Sequence, residues 1–432
     1  MKGIKFRLIV MNFLQFAVWG AYLTCMGTYL HSHGLASHIG IFYSIQGIVS
    51  IFMPALMGII ADRWIPAQKT LGLCHLISGA AMIGAAYYGL TMGDAVQFGP
   101  LFTLYSIAVA FYMPTLAISN SVAYNALDKA GLDTVKAFPP IRVFGTIGFI
   151  CTMWIVDLLG FQATAAQFAV SGGIGIVLGL YSFTLPACPL NKSDNASFVD
   201  KLGLRAFTLF KDKRMAYFFI FSMLLGVSLQ ITNGFANPYI TSFGGIEKYA
   251  GTFGVQHANI LISLSQVSET LCILLIPFFL RRFGIKKVML IAMFAWVLRF
   301  GFFGLGNPGA GVWLFVLSCI VYGVAFDFFN ISGSLFVDKE TDQGIRSSAQ
   351  GLFFLMTNGI GATIGTLSAQ AIVNHFVNNP AKAGATPEMV AQGWQSAWFV
   401  FAAYALVVAV VFAIVFKYEH KPEAVKNDET VS

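Results

Sequence analysis

The chain is 432 residues long, with 57% hydrophobic residues and only 10% charged, whereas a soluble globular chain carries about 25% charged residues; a water-soluble protein is excluded. A net charge of +7 would suit a nucleic-acid partner in a soluble protein, but here Lys and Arg cluster between apolar runs and report membrane orientation, so no nucleic-acid partner is expected. The cysteines Cys25, Cys74, Cys151, Cys188, Cys272 and Cys319 form no close pair and have no histidine at metal-ligand spacing, which argues against a disulfide framework and against a metal site.

A membrane-spanning helix takes about 20 mainly apolar residues, and the chain reads as twelve of them. Lys2, Lys5 and Arg7 precede an apolar run near 7–31. The run is long for a signal peptide and lacks a small-residue cleavage site, so it reads as a retained first span. Spans two to six follow near 38–61, 70–92, 98–121, 138–160 and 164–186. A second set lies near 214–243, 256–280, 285–305, 310–336, 347–376 and 393–417, with a polar stretch from Asn378 to Gln392 read as a loop.

The long polar connection 187–213 carries Lys192, Lys201, Arg205, Lys211 and Lys213. It reads as a linker between an N-terminal six-helix half, 1–186, and a C-terminal six-helix half, 214–432. Of the 26 Lys and Arg, only Lys248 and Lys382 fall on the opposite side, and Arg142 and Arg299 lie within spans, which leaves 22 on the linker side. By the positive-inside rule the linker and both termini are expected in the cytoplasm.

The two halves repeat a local feature. Gly58-Ile-Ile-Ala-Asp62-Arg63, with Lys69 beyond, lies between spans two and three, and Arg281-Arg282-Phe-Gly284-Ile-Lys286-Lys287 lies between spans eight and nine. Both occupy the same ordinal place. This resembles the major facilitator superfamily, whose loop after the second span carries Gly-x-x-x-Asp-Arg/Lys, although Trp64-Ile65-Pro66 replaces the glycine that usually follows. The resemblance implies an all-α membrane protein of two repeated halves rocking about a midplane site. It also implies that Asp62 and Arg63 tie cytoplasmic helix ends together as a conformational gate.

A charge at the bilayer centre costs at least about 2.5–3.5 kcal/mol, so an ionisable residue within a span is a functional candidate by default. Four stand out: Arg142, Glu269, Arg299 and Asp327. Residues three, four and seven apart share a helix face. Arg142, Thr146 and Phe149 therefore line one side of span five, Gln230 and Asn233 of span seven, Gln266 and Glu269 of span eight, Tyr322 and Phe326 of span ten. Amide, carboxylate, guanidinium, hydroxyl and aromatic groups together suit a polar solute with a ring, donors and acceptors along one edge, and hydroxyls at the other. The neighbours of Arg299 are Ala295, Trp296, Phe302 and Phe303, so it is expected to pair with an adjacent helix outside the site. Pro139 and Pro140 suit a helix start and would set Arg142 toward the cytoplasmic rim, where an orientation anchor is the alternative reading.

Five stretches carry a narrower resemblance: Phe52-Met-Pro-Ala-Leu56, Phe138 to Phe149, Phe219 to Asn233, Ser265 to Thr270, and Ala325-Phe-Asp-Phe-Phe-Asn-Ile-Ser-Gly333. Through these the chain resembles the nucleoside–proton symporters typified by the enterobacterial nucleoside permeases. The resemblance implies a solute site of Arg142, Thr146, Phe149, Gln230, Asn233, Gln266, Glu269, Tyr322 and Phe326, and an aspartate needed for transport at Asp327. Asp327 is the expected proton carrier because Phe326, Phe328 and Phe329 disfavour its charge, with Glu269 chiefly a solute ligand that shares in the titration.

The expected function is uptake of a nucleoside such as uridine by symport with protons across a bacterial inner membrane. The expected protein is a monomer among membrane lipids, without a cofactor. A symporter for a sugar or other polyol is the alternative. An enzyme is not expected, because Glu269 and Asp327 have no nucleophile, metal cluster or cofactor motif beside them.

Overall fold

No water reaches the backbone inside a bilayer, so each apolar run must satisfy its own N–H and C=O groups and does so as a helix. The computed structural model describes residues 3–190, 197–201, 204–342 and 345–419; the orientation charges Lys2 and Lys192 lie outside the described residues. Helix occupies the place of every expected span, and nine helices among the described residues are long and apolar enough to cross a membrane.

The difference from twelve has local origins. Span one is broken into Ile4–Gly20 and Met26–Ser32, and the Leu23 carbonyl in the break accepts a hydrogen bond from the Tyr43 hydroxyl. Span six is the shorter helix Ala166–Ser182. Spans eight and nine follow one another directly within Ala258–Leu305 as two helices, parted where Gly284 takes the non-helical φ 76° and ψ 168°, a conformation open to glycine at little cost. The expected connection Arg281–Lys287 is a tight turn at Gly284.

The other spans are Ile39–Arg63, Ala67–Met92, Phe98–Lys129, Thr134–Leu158, Val312–Glu340 and Pro387–Val415. Span five starts before Pro139 and Pro140, so Arg142 sits well inside the helix. Span seven is interrupted at Gln230, between Lys213–Leu229 and Ile231–Ser242. Span eleven widens into π turns at Leu355–Gly361 and Asn374–Asn378. The expected loop from Asn378 to Gln392 is mostly helix: one helix runs to Lys382, and the next starts at Pro387 with Thr386 accepting from the Met389 N–H at 3.3 Å. Its polarity marks helix ends meeting water.

Corresponding spans of the two groups pack alike. A Cβ on Gly148 would lie 2.2 Å from the Phe13 carbonyl oxygen, so spans five and one touch backbone to backbone. A Cβ on Gly365 would lie 2.0 Å from the Val227 oxygen, so their counterparts, spans eleven and seven, do the same. Small residues permit this close approach in membrane helices.

The two groups are sealed at the end away from the linker. Thr24 donates to Asn259 Oδ1 at 2.5 Å, Thr28 to Asn237 Oδ1 at 2.6 Å, and Trp154 Nε1 to Ser263 Oγ at 2.8 Å. Asp157, only 3% exposed, pairs with His257 and accepts the Ile260 N–H at 3.2 Å. A carboxylate of span five thus caps the first turn of span eight, where free N–H groups and the helix dipole favour negative charge. Losing a buried acceptor leaves its donors unpaired at about 1–3 kcal/mol. Asp157→Ala should therefore loosen the seal: in a chain cleared of native cysteines, spin labels at Ser32→Cys and Ala383→Cys should shift to longer separations. An unchanged distance distribution would mean that the seal does not depend on Asp157.

Candidate functional site

Between the groups lies a cavity of about 470 Å³, within the usual range for small-molecule sites. Phe16, Trp19 and Arg142 line it from the N-terminal group, and Gln230, Phe326 and Asn330 from the C-terminal group. A second hollow of about 370 Å³ shares Ser50, Asn120 and Phe354 with it and continues to Pro54 and Gly351, toward the linker end. The cavity is closed by the seal on one side and leads toward the linker on the other.

Arg142 projects from span five with its guanidinium carbon 3.8 Å from the centre of the Phe16 ring, a cation–π contact. It interacts electrostatically with Glu269 of span eight and Asp327 of span ten, which also interact with each other but do not line the cavity. No ion pair of 4.0 Å or less joins these three among the described residues. Asp327 is 5% exposed, and its Oδ2 is buried without a hydrogen-bond partner among the described residues. Glu269 is half-buried.

Each group contributes an aromatic pair, with Trp19 from one and Phe326 from the other lining the cavity. Tyr322 stacks on Phe326 at 5.6 Å and 13°, while Phe149 meets Trp19 edge-on at 6.5 Å. At the break in span seven, Asn233 Nδ2 donates to Gln230 Oε1 at 2.9 Å, leaving a donor on one amide and an acceptor on the other for a ligand. Thr146 and Gln266 are half-buried; of the nine expected ligands Arg142, Gln230 and Phe326 line the cavity, and Thr146, Phe149, Asn233, Gln266, Glu269 and Tyr322 do not.

Arg299 stands apart, as its neighbours suggested. It is 2% exposed and donates to Ser265 Oγ, the Ser318 carbonyl and Thr232 Oγ1 at 3.3, 2.8 and 3.1 Å. Its guanidinium also lies 4.5 Å from the Tyr322 ring centre. It ties spans seven, eight and ten behind the wall that Tyr322 presents. Asp62 and Arg63 close span two at the linker end, half-buried and both with interaction partners.

Sequence reasoning missed Phe16, Trp19, Gln46 and Asn120, all on the N-terminal side. In a chain with 42 Phe, two aromatic residues on span one carry no signal of their own. Gln46 donates to the Tyr105 hydroxyl at 2.9 Å, and its Oε1 is buried unpaired among the described residues, as is Trp19 Nε1. Asn330 was within reach, one turn beyond Phe326 on the same face.

A family model described as nucleoside H+ symporter matches residues 1–421. Xanthosine permease of Escherichia coli (strain K12) is 47% identical over 429 residues, covering 98% of this chain and 99% of the relative. Nucleoside permease NupG of the same organism is 47% identical over 424 residues, 97% of each. A crystal structure of nucleoside transporter NupG superposes with a TM-score of 0.86 at 45% identity, covering 97% of this chain and 100% of that one. A POT family peptide transporter, at 13% identity and a TM-score of 0.69 over 100% of this chain and 99% of that one, shares the fold alone.

Proposed function

Because this chain belongs to the nucleoside H+ symporter family, a group of major facilitator transporters, we propose that its central cavity holds one nucleoside and that Asp327 carries the coupled proton. The nucleoside ligands in this reading are Arg142, Thr146, Phe149, Gln230, Asn233, Gln266, Glu269, Tyr322 and Phe326. The amides of Gln230, Asn233 and Gln266 match the donor and acceptor edge of a base, and the Glu269 carboxylate accepts from vicinal ribose hydroxyls. Phe149 and Phe326 give faces for base or sugar.

The observation that supports the proton assignment is the buried, unpartnered Oδ2 of Asp327, whose carboxyl interacts electrostatically with Arg142 of the other half. Protonation removes a charge for which that oxygen has no partner; deprotonation restores the pull between the two halves. Solute and proton thereby act on one interaction, which joins residues 1–186 to residues 214–432 around the linker 187–213. The conformation here opens toward the linker. With the linker and both termini in the cytoplasm, it is the inward-open state of an inner-membrane protein acting as a monomer. Asp62 and Arg63, at the opening end, are proposed to hold that end when it closes.

A well-placed hydrogen bond in a dehydrated site contributes about 1–3 kcal/mol. Gln266→Ala and Glu269→Ala should each weaken uridine binding on the order of tenfold, measured by calorimetry on purified protein. Unchanged affinity in both folded variants would remove these side chains from the site.

One charge moving through 100 mV supplies about 2.3 kcal/mol, enough for roughly fiftyfold accumulation of a neutral solute. Asp327→Asn should therefore abolish proton-driven accumulation while leaving measurable uridine binding. Uptake with pH recording in proteoliposomes tests this, and uphill uptake with proton entry in the variant would pass the role to Glu269.

Orientation follows from the 22 basic residues on the linker side. Thr208→Cys, on an exposed segment of the connection, should react with an impermeant thiol reagent only in inside-out vesicles. Labelling in intact cells would reverse the assigned topology.

A further inference from the structure

Of the proposed ligands that line the cavity, Arg142 alone comes from the N-terminal group. Gln230, on the C-terminal side, already accepts from Asn233 Nδ2 through its Oε1, so what it offers a solute is chiefly its N–H donors. A nucleobase carries N–H donors beside its carbonyl acceptors, and those donors need an acceptor from elsewhere in the wall.

Span two supplies one. Gln46 is 1% exposed and lines the cavity. Its Nε2 donates to the Tyr105 hydroxyl at 2.9 Å, and its Oε1 is buried with no partner among the described residues. Tyr105 lines neither hollow and packs inside the N-terminal group against Phe42 at 5.2 Å and Tyr22 at 5.9 Å. The oxygen and nitrogen of an amide diverge from one carbon, so an amide tied to Tyr105 by its nitrogen turns its oxygen away from that interior. A carbonyl withdrawn from water and left unpaired carries its full desolvation cost, which a solute N–H entering the cavity would offset.

Trp19 supplies the complementary group. It lines the cavity, and its Nε1 is likewise buried without a partner among the described residues. Tyr112 at 5.8 Å and Phe149 at 6.5 Å hold its ring. Tyr22 follows within one turn, its N–H bonding the Trp19 carbonyl at 3.3 Å, and it is the residue that packs on Tyr105. The free donor and the free acceptor thus belong to one neighbourhood of the same group.

We propose that Gln46 Oε1 and Trp19 Nε1 are the N-terminal group's contacts to the nucleobase, the first accepting from a base N–H and the second donating to the carbonyl beside it. They thereby select bases with an adjoining donor and acceptor, and the solute is held from both groups. The proposal rests on the nucleoside reading of the cavity.

Competition against radiolabelled uridine on the purified full chain tests it. The probe is 3-methyluridine, in which a methyl group replaces the base N–H and both carbonyls remain. A hydrogen bond of this kind is worth roughly tenfold in affinity, so the wild-type chain should prefer uridine by about that factor. Gln46→Met, close in volume and without the acceptor, should weaken uridine roughly tenfold and bring the preference below about twofold. Gln46→Asn, which withdraws the oxygen by one methylene, carries the same expectation should the methionine variant not fold. Trp19→Phe should weaken both nucleosides alike, by roughly fivefold, because methylation spares the carbonyls. A general packing defect would instead lower both affinities together in Gln46→Met. That outcome, or a preference that survives the substitution, overturns the assignment of Gln46, and unchanged affinities in Trp19→Phe overturn that of Trp19. A wild-type chain that binds neither nucleoside overturns the nucleoside reading, and this proposal with it.

Discussion

A polar atom withdrawn from water into a bilayer must find a partner or carry an energetic penalty of kilocalories, and that constraint sorts the interior of this protein. Most buried polar groups comply: Gln15 donates to Thr115 and accepts from His75 Nε2, at 2.8 Å in each case, and Ser171 donates to the Val18 carbonyl at 2.7 Å. Arg299 spends its guanidinium on three helices. Around the central cavity several atoms do not comply, among them Asp327 Oδ2, Gln46 Oε1 and Trp19 Nε1. Others lie elsewhere, at Asn12, Tyr29, His75 and Arg299 Nε, so Trp19 and Gln46 are set apart by lining the cavity and not by lacking partners. Arg142 comes from one group, and Glu269 and Asp327, which interact with it, from the other.

This sorting explains what could be read in advance. Charge within a span is rare enough to be seen against an apolar background, so Arg142, Glu269 and Asp327 were visible in the sequence; Arg142 lines the cavity, and Glu269 and Asp327 interact electrostatically with it. Arg299 was visible too, and only its neighbours separated it from the others. Spans were legible as apolar runs, but their continuity was not, because hydropathy records polarity and is blind to whether a helix stops. Hence Asn378 to Gln392 looked like a loop and is largely helix, while the connection expected at Arg281 to Lys287 shrinks to a tight turn at Gly284. The N-terminal wall of the cavity was illegible for the opposite reason: Phe16 and Trp19 are aromatic residues among many, and only their position distinguishes them.

The two groups also divide the work of opening and closing. Polar pairs on the sealed side, Thr24 with Asn259 and Thr28 with Asn237, are short and neutral, the kind of bond that exchanges for water with little net change. Backbone contacts at Gly148 and Gly365 lie within groups and leave no such option. Between groups the backbones approach as closely at Gly27, where a Cβ would lie 2.2 Å from the Gly234 carbonyl oxygen, so the sealed side joins exchangeable bonds to a close helix contact.

The cap that Asp157 provides for span eight gives the sealed side an electrical character as well. The first turn of a helix carries about half a positive charge, and here a carboxylate from the other group neutralises it. Were the groups to part at the seal, that helix end would be uncovered while the carboxylate departed with its own half. The opened mouth therefore carries a fixed dipole from one lip to the other, positive at span eight and negative at span five. Dissolved ions will gather on the two lips with opposite sign, and a neutral solute with a large dipole moment will enter already turned.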